Sequence, residues 1–595
     1  MINDFILELP LPITLKSLKE FEHSVKNSKN HKFYSNQGIY IYSNSFLISN
    51  DYHTFDCHDG NDEHIIAEVY NKDPDNFFSN ISTFDGCYSF ILIDADKQTV
   101  MAASDDFHHR PLYYQVTSSR LVFSSDIEKL IKNKKYAIDT SVFFDYLVCG
   151  MPRKGMTIYK NISIIPNGEL LTIKNSKLEF CKIDKFPPPK TNYIKNPYLG
   201  IRKIFNKIIK NYINKTGRDI GITLSGGLDS SAIVCIANKY KTHNHFTHSF
   251  IYEGLTKKQE LSSNEIEFMN SVIESNDVDP IFHTFKENGP LKIIDEITNF
   301  PEPIVSPNIY AHLSVFKNLK LNNIKFLFEG VGGDNIISHG HLRFFELGKK
   351  LKICSLFREY KTFCEKNNKK FSYLSAIKIF ILKPYLPFIT STYYKYKNDY
   401  DFYNIDKIMH KKHKVNVDKR FEEIHGYNRH SVSFISNSIK KLDRLKSEDG
   451  TEAYVNRLSY NISKKYNVEI LSPFYSKELS RFTKEVPLSE KMKLGIDRYY
   501  FREGLKEFLP SKIYKRTSKG DMSGIFFNEL KKLEFREVEN LIFKDNDFFI
   551  KYFDPKKIKI LHSKMHIEND QRLGVAIYKL IYLASWLRKR KDMLF

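Results

Sequence analysis

The stretch Ile220-Gly221-Ile222-Thr223-Leu224-Ser225-Gly226-Gly227-Leu228-Asp229-Ser230-Ser231 constrains the fold of this chain more than any other. Apolar residues from Asp219 to Leu224 read as a short strand, two glycines make a tight turn, and helical spacing follows from Ser230 to Tyr240. Another apolar strand, Phe246 to Tyr252, comes next. Strand, turn, helix and strand in that order begin a doubly wound parallel sheet. The turn also has a chemistry. Glycines let the backbone bend closely after the strand, so that amide N–H groups and the following helix N-terminus can surround an anionic pyrophosphate, with serine hydroxyls as further donors. The candidate residues are Leu224, Ser225, Gly226, Gly227, Asp229, Ser230 and Ser231. No Walker-type element with its Gly-Lys-Ser or Gly-Lys-Thr ending occurs, so that class of nucleotide fold is not indicated.

Around this centre the chain divides. From Met1 to about Phe186, short runs such as Gly38-Ile39-Tyr40-Ile41-Tyr42, Tyr88-Ser89-Phe90-Ile91-Leu92-Ile93 and Leu121-Val122-Phe123 alternate with turn residues, which predicts a sheet-rich first domain. Pro187-Pro188-Pro189-Lys190-Thr191-Asn192 cannot continue a helix or a central strand and reads as a linker. After it, Ile201, Ile204, Phe205, Ile208, Ile209 and Tyr212 recur at helical spacing, and the rest to Phe595 is mostly helical in pattern. At roughly 150 residues per domain, 595 residues call for two to four domains, of which two large ones suit the pattern best.

The excess of Lys and Arg, 91 against 70 Asp and Glu, favours anionic partners but is spread in ones and twos, as on a solvated surface, so nucleic acid is not an expected partner. Seven scattered cysteines, without a CxxC pair, suggest neither a disulfide framework nor a zinc site. Lys378, Lys383, Pro384 and Pro387 interrupt the apolar stretch Phe371–Tyr394 before the ~20 residues that a spanning helix needs. With no signal pattern at Met1-Ile2-Asn3-Asp4, the expectation is a soluble cytoplasmic protein.

Two further segments carry chemistry. Phe326-Leu327-Phe328-Glu329-Gly330-Val331-Gly332-Gly333-Asp334 is an apolar strand that ends in a glycine-rich turn with a carboxylate. Leu509 to Asp521 is a basic loop in which Lys519, beside Gly520, is the candidate catalytic cation that neutralises developing charge.

Ser225 to Ser231 resembles the PP-loop of ATP pyrophosphatases, and the three segments follow the order and rough spacing of the asparagine synthetase C-terminal domain. Phe300-Pro301-Glu302-Pro303 and Glu469-Ile470-Leu471-Ser472-Pro473-Phe474 are similar to two more of that family's landmarks. In the first domain, Phe84-Asp85-Gly86-Cys87-Tyr88-Ser89-Phe90, Arg110-Pro111-Leu112-Tyr113-Tyr114 and Phe123-Ser124-Ser125-Asp126-Ile127 resemble the family's glutaminase domain. The resemblance implies an α/β architecture with a degenerate Ntn-type αββα N-terminal domain (1–186) and a linker (187–198). A Rossmann-like PP-loop ATP pyrophosphatase domain with a helical C-terminal part (199–595) completes it. It implies ATP and Mg2+ as cofactors, with Asp229 and Asp334 as the metal pair and Gly332 and Gly333 beside the nucleotide.

Two departures refine it. A glutaminase of this family uses a cysteine directly after the initiator Met, whose freed α-amine is the base for its own thiol; position two is Ile2 and the first cysteine is Cys57, so glutamine hydrolysis is not expected. The family's catalytic Glu, or the Tyr of β-lactam synthetases, falls at Val331, which cannot transfer a proton. The chain looks most like the lasso-peptide macrolactam synthetases, which join a peptide's N-terminal amine to an Asp or Glu side chain. That likeness implies a precursor peptide as substrate and a leader-peptide-processing protease as partner, with no membrane involved. Alternatives are asparagine or β-lactam formation with ammonia or a small amine, a tRNA-modifying PP-loop enzyme, and a catalytically dead scaffold.

Overall fold

The computed structural model describes residues 6–10, 33–36, 38–49, 62–132, 136–174, 177–183, 191–253, 265–286, 289–367, 369–382, 405–426, 450–517, 520 and 524–591. Ile2, Cys57, Pro187–Pro189 and Lys519 lie outside the described residues.

Among the described residues, ten strands build the N-terminal part: β1 (Ile6–Pro10), β2 (Phe33–Asn36), β3 (Ile39–Ser49), β4 (Asp85–Asp94), β5 (Thr99–Ser104), β6 (Tyr113–Val116), β7 (Arg120–Ser124), β8 (Ser163–Ile164), β9 (Glu169–Lys174) and β10 (Lys177–Lys182). They form two sheets, ordered β1-β7-β6-β8 and β10-β9-β5-β4-β3-β2. The sheets share one apolar layer, in which Leu9, Leu121 and Phe123 of the first meet Tyr42, Ile91 and Ile173 of the second. On the outer face of the larger sheet, Ile66 and Tyr70 of the helix Asp62–Lys72 pack on Phe90 and Leu92. On the outer face of the smaller one, Val142 and Phe143 of the helix Thr140–Cys149 pack with Tyr113 and Val122. This is the expected αββα layering. It explains why β4 is buried at every position, since both of its faces are covered.

The second sheet system is wholly parallel, with β11 (Ile220–Thr223), β12 (His245–Glu253), β13 (Asp279–Lys286), β14 (Phe326–Phe328) and β15 (Glu469–Leu471) in the order β13-β12-β11-β14-β15. Helices Pro197–Thr216 and Leu228–Lys239 cover one face through Ile204, Ile208 and Ile233, which meet Ile222 and Phe328. Helices Ile309–Leu321, Thr451–Lys465 and Gln571–Arg588 cover the other, where Leu319 and Ile462 meet Leu327 and Ile470. The strand order reverses between β11 and β14, and in open α/β sheets the crevice beyond the strand ends at such a switch point is where ligands bind.

Buried polar pairs join the two halves. Lys477 reaches Asp106 at 3.2 Å and the Tyr88 hydroxyl at 3.2 Å. Arg110 pairs with Glu469, and Tyr113 donates to Glu302 at 3.0 Å. The motif carboxylates Glu302 and Glu469 therefore serve this seam. Among the described residues no helix is long and apolar enough to cross a membrane, and the thiols of Cys87, Cys181, Cys235, Cys354 and Cys364 are free.

Candidate active site

Beyond the ends of β11 and β14 lies a cavity of about 590 Å³. Its floor is the turn after β11. Leu224 is held on both sides by β12, its N–H donating to His248 O at 2.8 Å and its carbonyl accepting from Ser249 Oγ at 2.8 Å, so the chain leaves the sheet at Ser225. Gly226 turns it at φ +73°, where a Cβ would stand 2.9 Å from Phe268 Cβ. Gly227 then caps the helix Leu228–Lys239 without a side-chain hydrogen bond to its first turn. Uncapped N–H groups at a helix N-terminus attract anions. Ser225 Oγ and Ser230 Oγ lie 3.1 Å apart at this mouth.

Leu224, Ser225, Gly227, Asp229 and Ser230 line the cavity, as does Asp334. Ser231 does not. It is fully buried, with an Oγ that has no hydrogen-bond partner among the described residues, because one residue further along a helix rotates the side chain by about 100°. Gly226, Gly332 and Gly333 form the wall behind the lining: a Cβ on Gly332 would meet the Tyr475 ring at 2.7 Å, and one on Gly333 would meet Asp229 Cγ at 2.4 Å. Only a residue without a side chain lets the β14 turn approach the Asp229 carboxylate this closely. Lys519 lies outside the described residues, while its neighbours Arg516, Thr517 and Gly520 line the cavity.

Asp229 and Asp334 converge on a cation. Arg498 Nη1 is 2.7 and 2.9 Å from the Asp229 oxygens and 3.1 Å from Asp334 Oδ1. Burial works against the Arg498 charge, but Asp229, Asp497 and Asp334 outweigh it and hold the guanidinium more firmly protonated than usual. His339 extends the network, with Nε2 3.2 Å from Asp334 and Nδ1 2.6 Å from Asp497. Its hydrogen bonds to Asp334 and Asp497 outweigh burial and raise it to about 9. Burial alone would push Asp497 up, but the bond from His339 and the charges of Arg498 and Arg502 bring it down to about 2. Two hard carboxylates already gathered on one cation suit Mg2+, which takes one or two protein carboxylates together with phosphate oxygens and water.

Opposite, Arg516 pairs with Glu265 and donates to Gly226 O at 2.7 Å, which ties the basic loop to the turn after β11. Thr517 donates to Lys366 O at 2.9 Å, which ties it to the helix Ile353–Lys366. Phe363, Asn367 and Lys369 from that region close the far wall, and Phe250, Tyr252 and Met269 give the cavity an apolar side. Sequence reading missed Arg498, His339 and Glu265. Nothing in Gly495-Ile496-Asp497-Arg498 sets this arginine apart among 91 basic residues; only the antiparallel pair Met492–Lys493 with Ile496–Asp497 and a left-handed Arg498, φ +51°, aim it at the carboxylates.

Residues 200–588 match the asparagine synthase family model, and residues 28–184 match that of the glutamine amidotransferase domain. The chain belongs to the asparagine synthase family, with an amidotransferase-type domain ahead of the synthase domain. Over 294 residues it is 25% identical to a candidate glutamine-hydrolyzing asparagine synthetase of Methanocaldococcus jannaschii, covering 47% of this chain and 53% of that one. It is 27% identical to the asparagine synthetase of Rattus norvegicus and 26% identical to that of Homo sapiens, each over 29% of this chain and 30% of the relative. The chain thus spans about half the length of the first of these relatives and less of the others. A glutamine phosphoribosylpyrophosphate amidotransferase structure from B. subtilis covers 43% of this chain and 63% of its own at 11% identity and a TM-score of 0.18.

Proposed function

We propose that this protein is an ATP-dependent, AMP-forming carbon–nitrogen ligase that activates an Asp or Glu side chain of a peptide and closes it onto the peptide's own N-terminal amine. The observation that carries the reading is Val331. It lines the cavity at the end of β14, beside the turn after β11, where the resemblance calls for the proton-transferring residue of enzymes that act on small substrates. A peptide that folds its own amine against its own acyl group makes the second step effectively unimolecular, a gain that reaches ~7–11 kcal/mol at good alignment.

In the first step a carboxylate oxygen attacks the α-phosphorus of ATP, a new C–O–P linkage forms, and the bond to pyrophosphate breaks. The uncapped N-terminus of the helix Leu228–Lys239, the Ser225 and Ser230 hydroxyls and Arg498 receive the pyrophosphate charge. Asp229 and Asp334 would hold Mg2+, which when bound neutralises phosphate charge. Arg516, tied to Gly226, and Lys519 in the same loop stabilise charge on the acyl-adenylate and on the tetrahedral adduct that follows. The walls from Phe250 to Phe363 keep water from the adenylate. A precursor peptide is the substrate in this reading, with a leader-processing protease as partner in the cytoplasm. Similarity to glutamine-hydrolyzing asparagine synthetases favours a second reading, amide formation from ammonia or a small amine.

The experiment supplies ATP and Mg2+ with either a trimmed linear peptide bearing an internal Asp or Glu, or aspartate plus ammonia. The first reading predicts AMP and a peptide lighter by one water in the peptide tube alone. AMP only with aspartate and ammonia selects the second.

A further inference from the structure

We propose that His312, oriented by the buried carboxylate of Glu329, is the catalytic residue that takes the proton from the attacking amine; this rests on the amide-forming reading above. An amine that attacks an acyl-adenylate becomes an ammonium adduct and must lose a proton before the amide is complete. A positioned base contributes ~10²–10⁴-fold to such a step. Val331 has no titratable atom, so the base must be sought elsewhere on the cavity wall.

Most ionisable groups there are committed. Asp229 and Asp334 share Arg498, and Glu265 pairs with Arg516. His339 has a carboxylate on each ring nitrogen, Asp334 on Nε2 and Asp497 on Nδ1, so neither nitrogen is open to an incoming proton. His341 stacks on the His339 ring with centroids 5.3 Å apart and meets the Phe363 ring edge-on at 5.2 Å, so its ring is packed between aromatic neighbours.

His312 differs. It projects from the helix Ile309–Leu321 into the same cavity as Gly330 and Val331, with its ring 6.0 Å from Phe250. Nδ1 faces Glu329 Oε1 at 3.5 Å, while the histidine side chain is 34% exposed and the glutamate side chain 4%. Among the described residues, His312 is the ionisable partner that the structure gives this buried carboxylate. Glu329 is itself fixed, because its N–H donates to Leu471 O at 3.0 Å where β14 meets β15. The turn that follows presses on the first turn of the helix Leu228–Lys239, since a Cβ on Gly330 would stand 3.2 Å from Ser230 N. The dyad thus flanks the turn that carries the phosphate-binding hydroxyls. A carboxylate on one ring nitrogen selects the tautomer whose other nitrogen, Nε2, is an open acceptor, and it stabilises the imidazolium once formed. Catalytic hydrogen bonds are often long before substrate binds and tighten in the complex, as the 3.5 Å contact requires.

The step balances. The amine lone pair forms the C–N bond, the N–H proton passes to His312 Nε2, and the acyl C–O bond breaks with its electron pair leaving on AMP. The imidazolium then returns its proton to water.

His312→Gln and Glu329→Gln test this by separating the half-reactions, with the acyl and amine substrates that the parent enzyme uses. Adenylation is read as ATP–pyrophosphate exchange, and acyl transfer as amide product. For H312Q we expect exchange near the parent rate and amide formation slower by ~10²–10⁴. E329Q should show the same split to a smaller degree. Hydroxylamine, whose cationic adduct is acidic enough to lose its proton directly to water, should restore hydroxamate formation by H312Q to near the parent rate. Amide formation by H312Q at the parent rate overturns the proposal, and so does a loss of exchange as large as the loss of amide in both variants. Because the parent's own nucleophile is used, a parent that accepts only ammonia sinks the peptide reading and leaves the test of His312 intact.

Discussion

Gly333→Ala isolates the geometry of the carboxylate pair. Gly333 sits at φ −55° and ψ −46°, an ordinary right-handed conformation, so alanine meets no backbone penalty there. The cost is contact alone: a Cβ would lie 2.4 Å from Asp229 Cγ, 2.7 Å from its Oδ2 and 2.8 Å from its Cβ. Carbon atoms pack at ~3.5–4.0 Å, so Asp229 or the β14 turn must give way by about 1 Å. Such a shift breaks the 2.7 and 2.9 Å bonds from Arg498. A displacement of about 1 Å costs ~10²-fold in rate, or about 3 kcal/mol of activation free energy. Overpacking should lower folding stability by ~1–3 kcal/mol, which leaves a folded protein. The assay is ATP–pyrophosphate exchange at saturating ATP, with thermal unfolding measured alongside. Gly217→Ala is the control: at φ +55°, with nothing within 4 Å of a new Cβ, it loses stability and keeps its exchange rate. A folded G333A that exchanges pyrophosphate at the parent rate would refute the close approach of Asp229 and the β14 turn as a catalytic requirement.

Asp229→Asn and Asp334→Asn should each abolish AMP formation with little change in unfolding temperature, because both carboxylates line a cavity rather than pack a core; either variant turning over normally removes that residue from the site. Lys477→Met should cost ~3–5 kcal/mol in denaturant unfolding, since it strands Asp106, whose Oδ2 is buried, at the seam between the halves. A change below about 1 kcal/mol there would mean that the seam is held by its apolar contacts.

The parts of this molecule that are local in sequence were legible in it. Ser225 to Ser230 show themselves because strand, glycine turn and helix are all encoded within a dozen neighbouring residues, and the structure places β11 at Ile220–Thr223 and the helix at Leu228–Lys239. The αββα layering was legible through resemblance, as single strands carry no record of which sheet they join. Arg498, His339 and the His312–Glu329 pair were illegible for the opposite reason. Their roles arise where segments more than 150 residues apart, such as Asp334 and Arg498, meet at one point, or where a helix and a strand end face each other. Ser231 shows the limit of reading a motif as a unit, since helical rotation carries it away from its neighbours and into the core. Glu302 and Glu469 stand in motifs that resemble family landmarks, yet here they hold the two halves together.

The central claim is that a substrate carboxylate is activated on the α-phosphate of ATP in this cavity. Its most direct measurement is label transfer: a peptide whose Asp or Glu side chain carries heavy oxygen is incubated with enzyme, ATP and Mg2+, and the nucleotide product is weighed by mass spectrometry. The account predicts one heavy oxygen in AMP for every amide formed, with none in pyrophosphate. Heavy oxygen in inorganic phosphate with ADP as the nucleotide product would contradict it, because the carboxylate would then have been activated on the γ-phosphate.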